Sequence, residues 1–271
     1  MADVEGAWLP GGKQRRLGGG TLTPVVRVGA TVRRPTGPWS RAVHALLLHL
    51  EAVGFERAPR FLGIDDAGRE VLSFLPGTVA NWPWPQVMLS DEGPRQAGVW
   101  LRNYHAAAGS FVPPEGAVWR DRSLGMAPGQ LLLHGDPGPW NAVWSGGQLQ
   151  GFIDWDLAHP GDPTGELLEA LWHVVPLYDD GACRKAGFRD GCNRMRRTAV
   201  FLDAYGSDLG FPDERSVAEA VLAYARRQRE RTLRLGAAGV EPWVTLSKRW
   251  PELHLKWLWL EAQAGQEPGA C

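Results

Sequence analysis

His134-Gly135-Asp136-Pro137-Gly138-Pro139-Trp140-Asn141, followed after a short hairpin by Ile153-Asp154-Trp155-Asp156, is the stretch on which the reading of this 271-residue chain turns. An apolar run at 131–134 reads as a strand that delivers a His-Gly-Asp turn, and two prolines stiffen the loop behind it. Asn141 follows Asp136 by five positions. Residues 142–144 and 149–153 read as strands around the Gly146-Gly147 turn, so the hairpin presents Asp154 at its far end. One carboxylate, one amide oxygen and a second carboxylate thereby reach the same edge of a small sheet. At average residue frequencies the string H-G-D-x4-N arises by chance on the order of once per thousand chains of this length. The hairpin and the I-D-W-D that follow make coincidence rarer still.

These residue types suit a hard cation. Magnesium takes oxygen ligands, usually one or two carboxylates with substrate phosphates. Asn141 and Asp154 can supply them. Asp136 is then free to accept a proton from an attacking hydroxyl, and an ordinary aspartate is ionised at neutral pH, as a base must be.

Outward from this segment the chain divides. Residues 25–28 and 31–34 read as short strands joined at Gly29-Ala30, and a helix from Ser40, which can cap it, runs to about Val53. Its Val43, Leu46, Leu47 and Leu50 form one apolar face. Residues 61–64 and 70–75 read as strands around the Asp65–Gly68 turn. After Leu75-Pro76-Gly77 the pattern becomes helical, with candidate helices at 94–108, 164–177, 182–205, 216–235 and 248–264. The expected fold class is α+β.

With His134-Gly135-Asp136, Asn141, Ile153-Asp154-Trp155-Asp156 and Gly161-Asp162-Pro163 in hand, the chain resembles the aminoglycoside phosphotransferase and choline kinase family. The resemblance covers nearly the whole chain and is densest at 131–163. It implies a bilobal protein-kinase-like fold: a small antiparallel β-rich nucleotide-binding lobe with one helix (1–75) and a larger, mainly helical catalytic and acceptor-binding lobe (76–271). It implies Asp136 as catalytic base and Asn141 and Asp154 as magnesium ligands. His134, Asp156 and Asp162 would be supporting residues, and the backbone of Ser73, Phe74 and Leu75 a hinge that hydrogen-bonds adenine. ATP is the implied phosphoryl donor, with GTP as the other candidate, and a hydroxylated small molecule the implied acceptor.

The pattern departs from the family in the small lobe. The family's third strand carries a lysine paired with a helix glutamate. Here the strand reads Thr31-Val32-Arg33-Arg34 and holds no lysine, and the helix offers His44 where the glutamate is expected. Strand alternation puts Val32 and Arg34 on one face, Val32 against the base and Arg34 on the phosphates, where a guanidinium can fork onto oxygen. Leu9-Pro10-Gly11-Gly12 and Leu17-Gly18-Gly19-Gly20 are both candidates for the loop that covers the phosphates.

The remaining features bound the function. With 29 basic and 30 acidic residues the chain has no charge excess to coat nucleic acid or an anionic membrane. Residues 71–90 carry no charge, but their prolines, Gly77 and Asn81 suit a membrane span poorly. Three cysteines without a C-x-x-C pair fit a reducing compartment, and Asp3 and Glu5 stand where a secretory signal would be apolar, so a cytoplasmic location is expected. Trp82 and Trp84 read as core, and His44 and His49 as structural. Asp179, Asp180 and Glu166 read as a solvated face or helix-start charges rather than a lure for a cationic acceptor, and Arg226 to Arg231 as the wet side of a helix. Two other functions stay in view. One is a non-catalytic nucleotide or metabolite binder of the same fold. The other is a metal-dependent hydrolase built on His134, Asp136, Asp154 and His159.

Overall fold

The computed structural model describes residues 14–17, 24–189, 191–249 and 257–265. The first part of the chain forms a five-stranded antiparallel sheet, with β-branched residues concentrated in β2 and β3: β1 (Gln14–Leu17), β2 (Val25–Val28), β3 (Thr31–Pro35), β4 (Phe61–Ile64) and β5 (Arg69–Ser73), in the order β1-β2-β3-β5-β4. Helix α1 (Ser40–Ala52) leaves β3 and buries the apolar stripe Val43, Leu46, Leu47 and Leu50. Trp39, not Ser40, stands at its N-cap, and the Ser40 hydroxyl instead accepts from the Gly37 N–H at 2.9 Å. Strand β1 lies where the sequence shows only glycine punctuation. Both glycine segments proposed to cover phosphates fall largely outside the described residues.

The rest is mainly helical. Helices α2 (Gln86–Leu89) and α3 (Glu92–Ala108) precede β7 (Leu131–Leu133), and β8 (Ala142–Ser145) and β9 (Gln148–Phe152) form the hairpin. Then come β10 (His159–Gly161), α4 (Pro163–Val174), α5 (Asp180–Ala186), α6 (Arg194–Tyr205), α7 (Glu214–Ala237), α8 (Trp243–Lys248) and α9 (Leu258–Gln263). The three strands read as one insert belong to two sheets: β7 pairs with β10, whereas β8 and β9 continue β6 (Thr78–Val79). The helix expected at 182–205 is two helices. Gly187, at φ 117°, ends α5 in a left-handed turn that no side chain adopts at low cost, and Asn193 caps the next helix through the Arg196 N–H.

What holds the site in place is the aromatic floor beneath β7 and β9. Trp100 on α3 lies 4.3 Å from Phe152 and 5.3 Å from Tyr104, centroid to centroid, and all three are buried. The Tyr104 hydroxyl donates to the Leu132 carbonyl at 2.6 Å and the Trp100 indole to the Arg57 carbonyl at 2.9 Å. Buried rings with satisfied polar edges make a rigid platform. Trp84 is buried as expected, but Trp82 is exposed. Among the described residues no helix is long and apolar enough to cross a membrane. Cys183 and Cys192 are buried free thiols.

Candidate active site

Strand β7 ends at Leu133 and the chain turns through His134 and Gly135. Gly135 has φ 81°, and a Cβ there would press into the Leu157 carbonyl oxygen. Only glycine lets the loop pass this close to the segment that follows Asp154. The Gly135 N–H donates to Glu166 Oε1 at 2.8 Å, and Glu166 Oε2 meets His105 Nε2 at 2.9 Å. Burial pushes the Glu166 carboxyl up, but the His105 hydrogen bond and charge outweigh it and hold the group below the usual carboxylate range. Glu166 is therefore a buried brace of the loop, not part of a solvated face. His134 is buried too, and burial lowers its pKa, which keeps the ring neutral. Its Nε2 lies 3.1 Å from the Ile153 carbonyl and its Nδ1 accepts from the Asp136 N–H at 3.3 Å. Those two partners set the tautomer, with the proton on Nε2, and tie the loop to the end of β9.

Asp136 is half-buried and Asn141 buried. Asn141 Nδ2 donates to Asp136 Oδ2 at 2.8 Å and to the Asp136 carbonyl at 3.0 Å, so the amide nitrogen is turned toward the loop and the amide oxygen away from it. The Ile153 N–H donates to the Asn141 carbonyl at 2.9 Å, which sets Asp154 immediately beyond Asn141. Asp154 has φ 66°, a left-handed conformation that aspartate tolerates better than most residues. Its side chain is half exposed.

The residue facing Asp154 comes from the small sheet. Arg34 and Glu70 are directly opposed across β3 and β5, and Arg34 Nε donates to Glu70 Oε1 at 2.7 Å. The same guanidinium reaches Asp154 Oδ1 at 2.9 Å through Nη1 and Asp156 Oδ1 through Nη2. Burial alone would lower the Arg34 pKa, but Asp156, Asp154 and Glu70 together raise it, so the charge is permanent. Arg120 approaches the other Asp156 oxygen at 3.4 Å while its guanidinium lies over the Trp39 ring. Glu70 Oε2 meets His44 Nε2 at 2.7 Å. Burial pushes Glu70 up, yet the His44 hydrogen bond and Arg34 outweigh it and keep its carboxyl low. The helix carries His44 and no glutamate at this place, as the sequence reads, yet the strand cation does have a glutamate partner. A neighbouring strand, rather than the helix, provides it, and His44 supports the glutamate instead of standing in for it.

The structure brings His134, Asp136, Asn141, Asp154, Asp156 and Arg34 together. Asp162 sits apart as the N-cap of α4, accepting from the Thr164 N–H at 2.9 Å. Val32 pairs with Leu72 and packs on the core. The Ser73 N–H donates to the Arg60 carbonyl and the Phe74 N–H to the Ala30 carbonyl, both at 2.9 Å. Those two donors are already engaged within the fold, which leaves the segment's carbonyls and Leu75 to meet a base. Asp179 caps α5 and Asp180 pairs with Arg194 at 2.6 Å. Arg231 is not on a wet face: it pairs with the buried Asp121 at 3.0 Å and lies 3.2 Å from His159 Nε2. With His159 Nδ1 held at the Leu157 carbonyl, and both His134 nitrogens engaged, the imidazoles of the hydrolase reading are committed to the fold. Among the described residues no group of three or more His, Cys, Asp or Glu is arranged to hold a metal. Sequence reasoning missed Glu70, Arg120 and the Glu166 brace. Only Glu70 had a signal, its place at the start of a strand read from the sequence; the register that sets it opposite Arg34 came from the fold.

Comparison with known proteins agrees with this geometry. The family model for the phosphotransferase enzyme family matches residues 117–203, the span that carries the loop, the hairpin and α4. The trifolitoxin immunity protein of Rhizobium leguminosarum bv. trifolii is 39% identical over 250 residues, which covers 86% of this chain and 93% of that protein. Among solved structures, a choline/ethanolamine kinase family protein from Mesorhizobium loti aligns with a TM-score of 0.53 at 19% identity over 93% of this chain and 88% of that one. A macrolide 2'-phosphotransferase from Brachybacterium faecium aligns at 0.54 and 18% identity, over 88% and 90% of the two chains. The GDP complex of aminoglycoside 2'-phosphotransferase-IIIa aligns at 0.54 and 15% identity, over 93% and 92%. At these identities the solved structures speak to the fold, which is the bilobal α+β fold of protein-kinase-like phosphotransferases. The long curated relative, together with the family match over residues 117–203, decides the rest: the chain belongs to the phosphotransferase enzyme family.

Proposed function

We propose that the protein is a small-molecule kinase that transfers the γ-phosphate of ATP to a hydroxyl of an aminoglycoside-like or other hydroxylated metabolite. The observation that carries this reading is the approach of Asp136, Asn141 and Asp154 through the loop and hairpin, with the Arg34 guanidinium against Asp154. In this reading residues 1–75 form the nucleotide lobe, with Val32 against the base and Ser73 to Leu75 as hinge, and residues 76–271 form the catalytic and acceptor lobe. The donor set fits magnesium, because the Asn141 amide is turned with its oxygen outward and Asp154 is a half-exposed carboxylate. Asn141 and Asp154 would hold the ion, which neutralises triphosphate charge. Asp136 accepts the acceptor's hydroxyl proton. His134 and Glu166 keep the loop in register, and Arg34, anchored by Glu70, adds fixed positive charge beside the phosphates. Kinase chemistry is mainly positioning and charge neutralisation, so these groups suffice.

The Arg34–Glu70 pair also favours catalysis over the non-catalytic reading, whose motive was the missing lysine and glutamate. The acceptor screen should begin with toxic hydroxylated compounds, since the 39% identical relative is named for immunity to a toxin and phosphorylation is one chemical route to that outcome. The test is a calorimetric titration with ATP and with GTP, each with and without magnesium, alongside Asp154→Asn. Magnesium-dependent binding lost in the variant is the expected result. Absence of binding in the wild type overturns the proposal. Once an acceptor is found, Asp136→Asn should slow transfer by roughly 10²–10⁴-fold, and near-normal turnover would remove Asp136 from its role.

A further inference from the structure

Trp140 is the most exposed side chain of the His134–Asn141 loop, and its one polar atom is nevertheless engaged within that loop. The indole Nε1 donates to Asp136 Oδ1 at 3.0 Å and to Oδ2 at 3.1 Å. The ring's seat is built for it. Gly138 lies beneath, where a Cβ would collide with the indole. His173 meets the ring edge-on with centroids 4.8 Å apart, and His173 is itself fixed by a hydrogen bond to the Tyr178 hydroxyl and by stacking on Trp172. An indole N–H can only donate. It therefore takes one acceptor site on each carboxylate oxygen, beside the Asn141 amide already on Oδ2, and competes with an incoming O–H for the lone pairs a general base must offer.

We infer that Trp140 is a positioning residue that latches Asp136. Its N–H holds the carboxylate against water, and the base is released when the body of an acceptor displaces the indole. The inference rests on the kinase reading. The reaction it suppresses is hydrolysis of the bound nucleotide. There a water oxygen bonds to the γ-phosphorus, and the bond from that phosphorus to the β,γ-bridging oxygen breaks. The nucleoside diphosphate leaves with the electron pair, and the water's proton passes to Asp136. Because the competitor is water, the latch can be tested without knowing the acceptor.

The experiment measures acceptor-free hydrolysis of magnesium ATP by the wild type, by Trp140→Phe and by Trp140→Phe combined with Asp136→Asn, with nucleotide affinity read by calorimetry for each. Phenylalanine keeps an aromatic ring while removing the donor together with part of the indole's bulk, so the dependence of any gain on Asp136 is what isolates the lost hydrogen bond. Hydrolysis is expected to rise about fivefold or more in Trp140→Phe, the worth of one hydrogen bond, with nucleotide affinity within about twofold of the wild type. The gain should vanish when Asp136→Asn is added. An unchanged rate in a variant that binds nucleotide normally overturns the latch, and so does a gain that survives Asp136→Asn. If no variant and not the wild type binds nucleotide, the kinase reading falls and the latch with it. A separate spectrum tells that failure from failure of the contact itself. The Trp140 indole ¹⁵N–¹H resonance, identified by its loss in Trp140→Phe, must move in Asp136→Asn, and a resonance that stays in place overturns the contact.

Discussion

Gly135 shows how a single residue type sets the site. Its φ of 81° and its closeness to the Leu157 carbonyl leave no room for a Cβ, so Gly135→Ala combines left-handed backbone strain with a clash against main chain. Together these should cost about 2–5 kcal/mol, read as a lower urea midpoint at unchanged slope, and a loss under about 1 kcal/mol would mean the loop can shift. Asp154 bears the opposite relation to strain. It keeps a side chain in left-handed backbone where glycine would be easier, and residues in such conformations concentrate at functional sites. The importance of both positions was legible in the motif. The Trp140 contact was not, because nothing in the sequence says which way an indole at that position points.

At the scale of elements, the central fact is that the buried cation and its first partner sit on paired strands. The resemblance implied a glutamate on the helix after the strand, whereas Arg34 and Glu70 share a cross-strand register. The pair itself is set by strand register, and α1 adds only the His44 contact to the far oxygen of Glu70. Glu70→Gln preserves shape and removes the charge that anchors Arg34 between two further carboxylates. We expect it to lower stability by about 1–3 kcal/mol and to weaken magnesium–ATP binding by about tenfold, since an unanchored guanidinium loses its fixed geometry. Calorimetry and denaturant titration on the same preparation check both, and unaltered nucleotide affinity would detach Arg34 from the phosphates. Helix and strand existence was readable from periodicity in most of the chain. The break between α5 and α6 was missed because the breaker signals at Gly187 and Gly191 were read through as part of one long helix.

For the whole molecule, the link between Arg231 on α7 and His159 on β10 is a pH-sensitive one. Burial first, and then the Arg231 charge, lower the His159 pKa from 6.5 to about 4. The unfolded chain therefore binds a proton below pH 6.5 that the folded chain refuses until about pH 4. Stability worth on the order of 3 kcal/mol is present above pH 6.5 and drains as the pH falls to 4. Urea titrations across this range should show a shallower loss in His159→Gln than in the wild type. Equal slopes would mean that His159 is free to take up a proton in the fold. His159 was weighed in the sequence only as a metal ligand, and Arg231, whose charge acts on it, only as a solvated residue.

The sequence by itself determined the family-bearing loop, the hairpin that returns Asp154, the α+β order and the apolar stripe of α1. All of these follow from spacings of a few residues, where backbone geometry dictates which side chains share a face. Tertiary structure decided the partners. Arg34 meets Asp154 across 120 positions and Arg231 meets Asp121 across 110. Glu166 reaches the Gly135 N–H and His105 from a helix whose own pattern shows only an acidic first turn. Such contacts have no period along the chain. Buried charges must find opposite charges or hydrogen bonds wherever packing brings them, and that place is set by the docking of helices on sheets rather than by any neighbour in sequence.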